Sequence, residues 1–451
     1  MPIIWQDKYR DKIISAKEAA KIVKSGERVV LAMMDMPKLI GFELAKRKDE
    51  LQNVTLISHW TDDFPWFQPG WEDSFLVEDA FPLAHTRPGV KERRFDWVPS
   101  IFGLNDGVRQ EESDRTGIYH YADVFLGKVS PPDEEGYCSF GPRLWYSPSA
   151  LKTARTVIVE VDPTITRVFG DRVHISEIDY LVETEPVPAD KAKSERPLPV
   201  PPVDEWEKAQ VIAANVSTLI RDGDTLQIGT GTASEAITTF LEDRNDLGID
   251  SEIIPVSLLE AIRKGVFTNK RKSINRGKSV CACLRTYDND PATPEILEFV
   301  RENPAFEFRD VGYICNVPRI ASNDNMVSIN TGLAIDLLGQ LVIDHLGPVP
   351  ISGPGGQVEF CIGAHYSKGG RSITSLMSTA KQGTISRIVP QLEKGTVVEI
   401  PLTYVDYLVT EYGMVNLDGK TRRERAEAII SIAHPDFQPE LRRAAQKLFW
   451  P

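Results

Sequence analysis

The sequence predicts an α/β protein of two related domains, and three observations carry that prediction. Strand-like runs alternate with amphipathic helical ones, one helix–glycine–strand unit occurs twice, and a proline-rich stretch divides the chain near its middle. Size agrees: the chain has 451 residues, 41% hydrophobic and 26% charged, and single cores stop growing beyond roughly 250–300 residues, so two large domains are expected.

The first unit opens with SAKEAAKIV (15–23), whose apolar spacing is helical. Ser25-Gly26 breaks it, and Glu27–Ala32 is a short β-branched run. The same order returns in the second half, where EKAQVIAANVSTLIRD (207–222) is an amphipathic helix, Gly223 ends it and Thr225–Gly229 is the next strand. At a shift of 197 positions Gly26 falls on Gly223, Val29 on Leu226, Leu31 on Ile228 and Ala32 on Gly229; after a small gap NVTLIS (53–58) meets DLGIDS (246–251). Agreement in element order points to a duplicated α/β unit. Between the halves, residues 185–204 are dense in proline and charge without apolar periodicity. The expected organisation is a first domain over 1–190, a linker over 191–204 and a second domain over 205–451.

Charge and cysteine content exclude several classes of function. Lys plus Arg total 52 against 65 for Asp plus Glu, a net charge of −13, which gives no general footprint for nucleic acid or an anionic membrane. No stretch approaches the ~20 apolar residues of a spanning helix, and MPIIWQDKYRDKII does not read as a secretory signal, so a cytoplasmic location is expected. Five cysteines are too few and odd in number for a disulfide framework. Cys281 and Cys283 form a lone CxC that reads as alternate core positions of a strand, and no metal site is expected.

Several elements can carry chemistry. The strand LQIG runs into Gly229-Thr-Gly231-Thr-Ala-Ser and a helix, which places free backbone N–H groups where an anion or oxyanion could sit; a tight strand-to-helix turn explains the same residues. The run lacks the third glycine of a dinucleotide fingerprint. Ser352-Gly-Pro-Gly-Gly-Gln357 is a second glycine-rich loop, before a strand-like Val358–Ile362, and Ser367–Arg371 and Ser378–Gly383 set Ser, Thr and Lys beside glycine. Between Arg263 and Arg285 lie eight basic residues and no acid, a solvated face or an attractor of an anionic ligand. Glu252, in GIDSE (248–252), is expected at the carboxyl end of a short strand, where clefts of α/β sheets form and a partly desolvated carboxylate can act as base or nucleophile. No GxSxG elbow, HExxH or Walker A pattern occurs, and His434 reads as a helix-end contact.

Taken together, the run Val311–Asn330, SGPGGQVEF (352–360), SKGGRSI (367–373), STAKQGTISRIVP (378–390) and VTEYGMVNLDGKTRRERAEAIISIAHPDF (409–437) resembles the acetyl-CoA hydrolase/transferase family. The nearest-looking branch is that of the 4-hydroxybutyrate and butyrate:acetate CoA-transferases. The resemblance is specific over 205–440 and looser in the first half, where Gly26–Val30 and His174–Tyr180 carry it. It implies a class I CoA-transferase fold of two related α/β domains with the active site between them, acyl-CoA and a free carboxylic acid as substrates, no permanently bound cofactor and a homodimer. GIDSE matches the family's GIHTE, so Glu252 takes the role of catalytic glutamate, attacking the thioester in a ping-pong exchange. By the same matching Gly229, Gly231, Gly355 and Gly356 supply backbone N–H groups to the oxyanion, Asn316 positions the glutamate or an acyl oxygen, and Gln357, Ser378 and Lys381 contact CoA. An acyl-CoA hydrolase using the same glutamate and a non-catalytic ligand-binding protein on the same scaffold are the competing readings.

The chain departs from the family pattern at Asp250–Ser257, in place of HTEM followed by SDG, at Pro401–Val405 and at Leu417–Gly419, where family arginines are expected. These departures imply an acyl specificity shifted from acetate, butyrate or 4-hydroxybutyrate. Trp60, Trp66, Trp71, Trp97 and Trp145 would suit a bulkier or aromatic acid, or plain core.

Overall fold

The structure is a computed structural model that describes residues 5–59, 63–99, 102, 122–184, 202–286, 290 and 292–451. Trp60 and most of the proline-rich segment, 185–201, lie outside the described residues. The chain forms two compact units, one of residues 1–197, 282–313 and 350–353, the other of residues 198–281, 314–349 and 354–451. Besides the passage between halves read from the sequence, the chain thus returns to the first unit over 282–313 and 350–353.

In the first unit helix α1 (Ala16–Ile22) starts at Ser15, whose hydroxyl accepts from the Glu18 N–H while the Glu18 carboxylate accepts from the Ser15 N–H. This reciprocal cap fixes where the helix begins. Strands β1 (Arg28–Leu31), β2 (Val54–Ile57), β3 (Phe75–Asp79), β4 (Phe95–Trp97), β5 (Ala122–Val129), β6 (Ala154–Val161) and β7 (Tyr180–Glu183) lie in the order β4-β3-β2-β1-β5-β6-β7, every neighbouring pair parallel. β-Branched runs such as RVVL and VTLI suit a sheet covered on both faces. Trp66 belongs to this unit's core, stacked on Phe64 at 4.4 Å between ring centres. Trp145 is equally buried, its indole N–H directed at the Met34 sulfur.

In the second unit helix α2 (Val203–Ser217) precedes strands β8 (Thr225–Ile228) and β9 (Gly248–Pro255). Helix α3 (Val317–Ala321), strand β10 (Met326–Thr331), helix α4 (Gln357–Tyr366) and strands β11 (Arg371–Ser375), β12 (Tyr407–Thr410) and β13 (Gly413–Asn416) follow. The strands lie in the order β9-β8-β10-β11-β12-β13, parallel except for the final hairpin. Val358–Ile362, expected as a strand, is the body of α4. A short apolar run does not distinguish a strand from a buried helix, and most of α4 is buried.

The duplication is visible in the backbone. Gly26 has φ 80° and Gly223 φ 82°, each in the left-handed region that glycine enters without steric cost. The Gly26 N–H donates to the Gln52 carbonyl and the Gly223 N–H to the Asn245 carbonyl, both at 2.9 Å. β1 then lies between β2 and β5 as β8 lies between β9 and β10.

All five cysteines are buried and none is in a disulfide, and Cys281 and Cys283 alternate on the strand Ser279–Arg285 as core residues. Among the described residues no helix is long and apolar enough to cross a membrane.

Candidate active site

Glu252 stands on β9, which pairs with β8 at Thr225↔Gly248 and Leu226↔Ile249 and continues three residues past that register to the glutamate. Its side chain is buried, with 6% of the residue's surface exposed. The carboxylate accepts from its own N–H and from the Gly356 N–H, and Gln227 Nε2 approaches Oε2 at 3.3 Å. Burial pushes the carboxyl up to about 7 against these hydrogen bonds, because removing a charge from water costs more than neutral donors return. Gln227 is itself held by a reciprocal amide pair, donating to Asn330 Oδ1 at 2.9 Å and accepting from Asn330 Nδ2 at 2.8 Å. Asn330 Nδ2 also donates to Ser328 Oγ.

The glycines contribute by what they leave out. A Cβ on Gly229 would lie 2.4 Å from Asn330 Oδ1, and one on Gly356 would lie 2.8 Å from Cys315 Sγ and 3.2 Å from the Glu252 carboxyl. Only a residue without a side chain lets this backbone approach the glutamate. Gly231 (φ 135°) and Gly355 (φ 59°) turn the chain into the two helices that follow. Cys315 closes the site from another side, and burial together with the Glu359 and Glu252 carboxylates pushes its thiol well above the ordinary range.

Two residues before Glu252, and so on the same face of the strand, Asp250 anchors a buried ionic cluster. Arg319 of α3 grips it with both terminal nitrogens, Nη1 to Oδ1 at 2.7 Å and Nη2 to Oδ2 at 2.9 Å. Lys272 Nζ lies 3.2 Å from Oδ2 and donates to the Ile249 and Lys278 carbonyls, while Asn323 Nδ2 donates to Oδ2 at 3.1 Å. Burial alone would raise the Asp250 carboxyl; the Lys272 and Arg319 charges reverse that and hold it below the ordinary range.

The sequence-derived candidates therefore divide. Glu252 and Gly356 are in direct contact, and Gly229 sits against the Gln227–Asn330 pair that reaches the glutamate. Asn316 caps α3, its Oδ1 accepting from the Arg319 N–H at 3.0 Å. Gln357, the first residue of α4, keeps a buried Nε2 with no hydrogen-bond partner among the described residues. Ser378 is committed to Glu411, through its hydroxyl at 2.8 Å and its N–H at 2.9 Å. Lys381 lies in a hairpin turn with φ 47°. Of the basic run, Lys272 is fully buried at Asp250 and Lys264 pairs with Glu242 at 2.9 Å. Gln227, Asn330, Cys315 and the Asp250–Arg319 pair escape the sequence reading; a glutamine or asparagine within fully buried parallel strands is the signal that could have marked the first two.

Among the described residues, one group of three has the side chains of a metal site, Asp344, His345 and Glu399. His345 Nδ1 lies 2.5 Å from Asp344 Oδ1 and 2.7 Å from Glu399 Oε1. Those are hydrogen-bond separations, shorter than the roughly 3.3 Å between two ligands of a tetrahedral ion.

The profile for the acetyl-CoA hydrolase/transferase N-terminal domain matches residues 4–189, and that for the C-terminal domain of the same family matches residues 293–445. A 4-hydroxybutyrate coenzyme A transferase of Clostridium kluyveri is 37% identical, over 99% of this chain and 100% of its own length. A succinyl-CoA:cyclohexane-1-carboxylate CoA transferase of Geobacter metallireducens is 35% identical, over 98% of this chain and 97% of its own length. Among solved structures, RipA from Yersinia pestis superposes with a TM-score of 0.84 at 33% identity, covering 98% of this chain and 99% of that one.

Proposed function

Because the chain belongs to the acetyl-CoA hydrolase/transferase family, we propose that it moves CoA from an acyl-CoA to a free carboxylic acid, with Glu252 as the nucleophile. The observation that carries this reading is a buried carboxylate whose hydrogen-bond donors are two backbone N–H groups and one amide. A carboxylate held by neutral donors, with water largely excluded, keeps its basicity and is a competent nucleophile.

In the first step a Glu252 oxygen attacks the thioester carbonyl, the C–S bond breaks, and an acyl-glutamyl anhydride and CoA thiolate form. The thiolate then attacks the glutamyl carbonyl, the anhydride C–O bond breaks, and the first acid leaves as its carboxylate with glutamyl-CoA behind. A second carboxylate attacks that thioester and expels the thiolate, which attacks the acyl carbonyl to give the new acyl-CoA and free Glu252. The thioester bond energy is conserved, so no external energy source enters the balance. Once Glu252 is acylated, the Gly356 N–H and Gln227 Nε2 face its carbonyl oxygen, where negative charge develops in each tetrahedral intermediate. Gly229, Gly231 and Gly355 are proposed to serve the same end, and Asn316 to hold the turn at Cys315 through its cap on α3. The open Gln357 amide is proposed to reach the substrate, with Ser378 and Lys381 toward CoA. A homodimer and a cytoplasmic location go with this reading, to be checked by sedimentation and by fractionation.

The test is intact-mass analysis of protein quenched after incubation with acetyl-, butyryl- or succinyl-CoA, beside Glu252→Gln. The expected result is a CoA-sized adduct on Glu252, absent in the variant, and discharged by carboxylates much faster than by water. Acetate, butyrate, 4-hydroxybutyrate and cyclohexane-1-carboxylate make the acceptor panel, the last because a relative acts on it. Discharge by water as fast as by acids makes the chain a hydrolase, and no adduct with any donor overturns the nucleophile assignment.

A further inference from the structure

The ionic cluster at Asp250 stands two residues from Glu252 on β9. Gly248, Asp250 and Glu252 share one face of β9, and the segment from Cys315 to Arg319 lies along it. Cys315 meets Gly356 at the Glu252 end, and Arg319, four residues later, meets Asp250. A slip of that segment by one residue would break the two-pronged contact and carry Cys315 away from the glutamate together. Asn316, which caps α3 by accepting from the Arg319 N–H, ties the same segment from within.

Resting on the reading of Glu252 as nucleophile, we infer that Asp250 and Arg319 are a positioning pair that fixes the Cys315 wall against Glu252 and so sets the angle at which the carboxylate meets its thioester. Three features distinguish the pair from a simple fastening. Burying these charges is costly, and well-packed apolar side chains stabilise a fold as well or better. The two parallel N–H···O contacts of a guanidinium on a carboxylate fix orientation as well as distance, which a point charge does not. Lys272 and Asn323 occupy the remaining acceptor capacity of Oδ2, so the carboxylate cannot rotate within its own cluster.

Arg319→Lys keeps the charge and removes the fork. Asp250→Asn leaves Lys272 and Arg319 buried without their counter-ion and is expected to fold poorly, so it is not the primary variant. A comparison variant is Arg371→Lys, where a buried arginine of the same unit holds the Leu219 carbonyl and Asp224 outside the site. Both lysine variants are measured for melting temperature, KM for acyl-CoA and the single-turnover rate of adduct formation on Glu252. Arg319→Lys is expected to slow adduct formation about tenfold to a hundredfold, the effect of a small misplacement of a reacting group, with KM changed less than twofold. Arg371→Lys is expected to lower the melting temperature by a similar amount and leave the rate unchanged. An unaltered rate in Arg319→Lys, or equal slowing in both variants, overturns the positioning role while the wild-type adduct upholds the nucleophile. Absence of the adduct in the wild type overturns both.

Discussion

A glutamate that keeps its proton to about pH 7 limits the pH range in which its anion can attack. kcat/KM for acyl-CoA is expected to fall about tenfold per pH unit below 7 and to level off above it; a profile flat down to pH 5 would contradict the environment described for Glu252. At Gly356 an added methyl would stand 2.8 Å from the Cys315 sulfur. Gly356→Ala is therefore expected to cost about 1–3 kcal/mol by overpacking and at least tenfold in kcat/KM, with part of both recovered in Gly356→Ala/Cys315→Ala, where the sulfur is gone. Steady-state kinetics and urea melts of the two variants decide this. Glu252 stands out in the sequence because GIDSE matches the spacing of GIHTE, and the structure adds that its carboxylate is buried. Gln227 and Asn330 do not stand out, since they lie 103 positions apart and only the pairing of β8 with β10 brings them together.

At the scale of elements, the repeated unit makes the same demand at two places. Gly26→Ala meets open space but must hold a positive φ, whereas Gly223→Ala meets the Arg271 side chain at 3.1 Å as well. Each is expected to cost about 1–2 kcal/mol, Gly223→Ala the more. Equilibrium unfolding measures both, and a neutral Gly26→Ala would refute the left-handed turn. The helix–glycine–strand order was readable because a turn of this kind needs glycine and the flanking periodicities differ. Val358–Ile362 has the sequence pattern of a strand although it is the body of α4, because a helix buried over most of its surface lacks the polar–apolar alternation by which a helix is recognised.

At the scale of the whole molecule, four buried carboxyls among the described residues, those of Glu160, Glu252, Asp310 and Asp406, are each pushed by burial to about 7. Their values in the unfolded chain are near 4, so the folded form binds these protons more tightly. The stability this contributes is complete below about pH 4 and is lost as pH rises through 7, at up to about 1.4 kcal/mol per unit for each group. Asp162 and Asp250 act oppositely, being held below the ordinary range in the folded state, and their contribution is lost in acid. Denaturant melts are expected to show greatest stability near pH 4, a decline between about pH 4 and 7, and a levelling above that; a rise between pH 5 and 7 would be inconsistent with these burials. The returns of the chain at 282–313 and 350–353 to the first unit left no trace in composition, because which unit a segment joins is decided by contacts with residues distant in sequence. The burial of every cysteine has a practical consequence for a protein proposed either to transfer CoA or to release it by hydrolysis. The thiols of Cys138, Cys283, Cys315 and Cys361 are held well above neutrality, so a thiol-reactive dye meets a nearly silent background in the native protein; because transfer consumes every thiolate it forms, a continuous dye signal with acyl-CoA reports hydrolysis alone and separates the two activities.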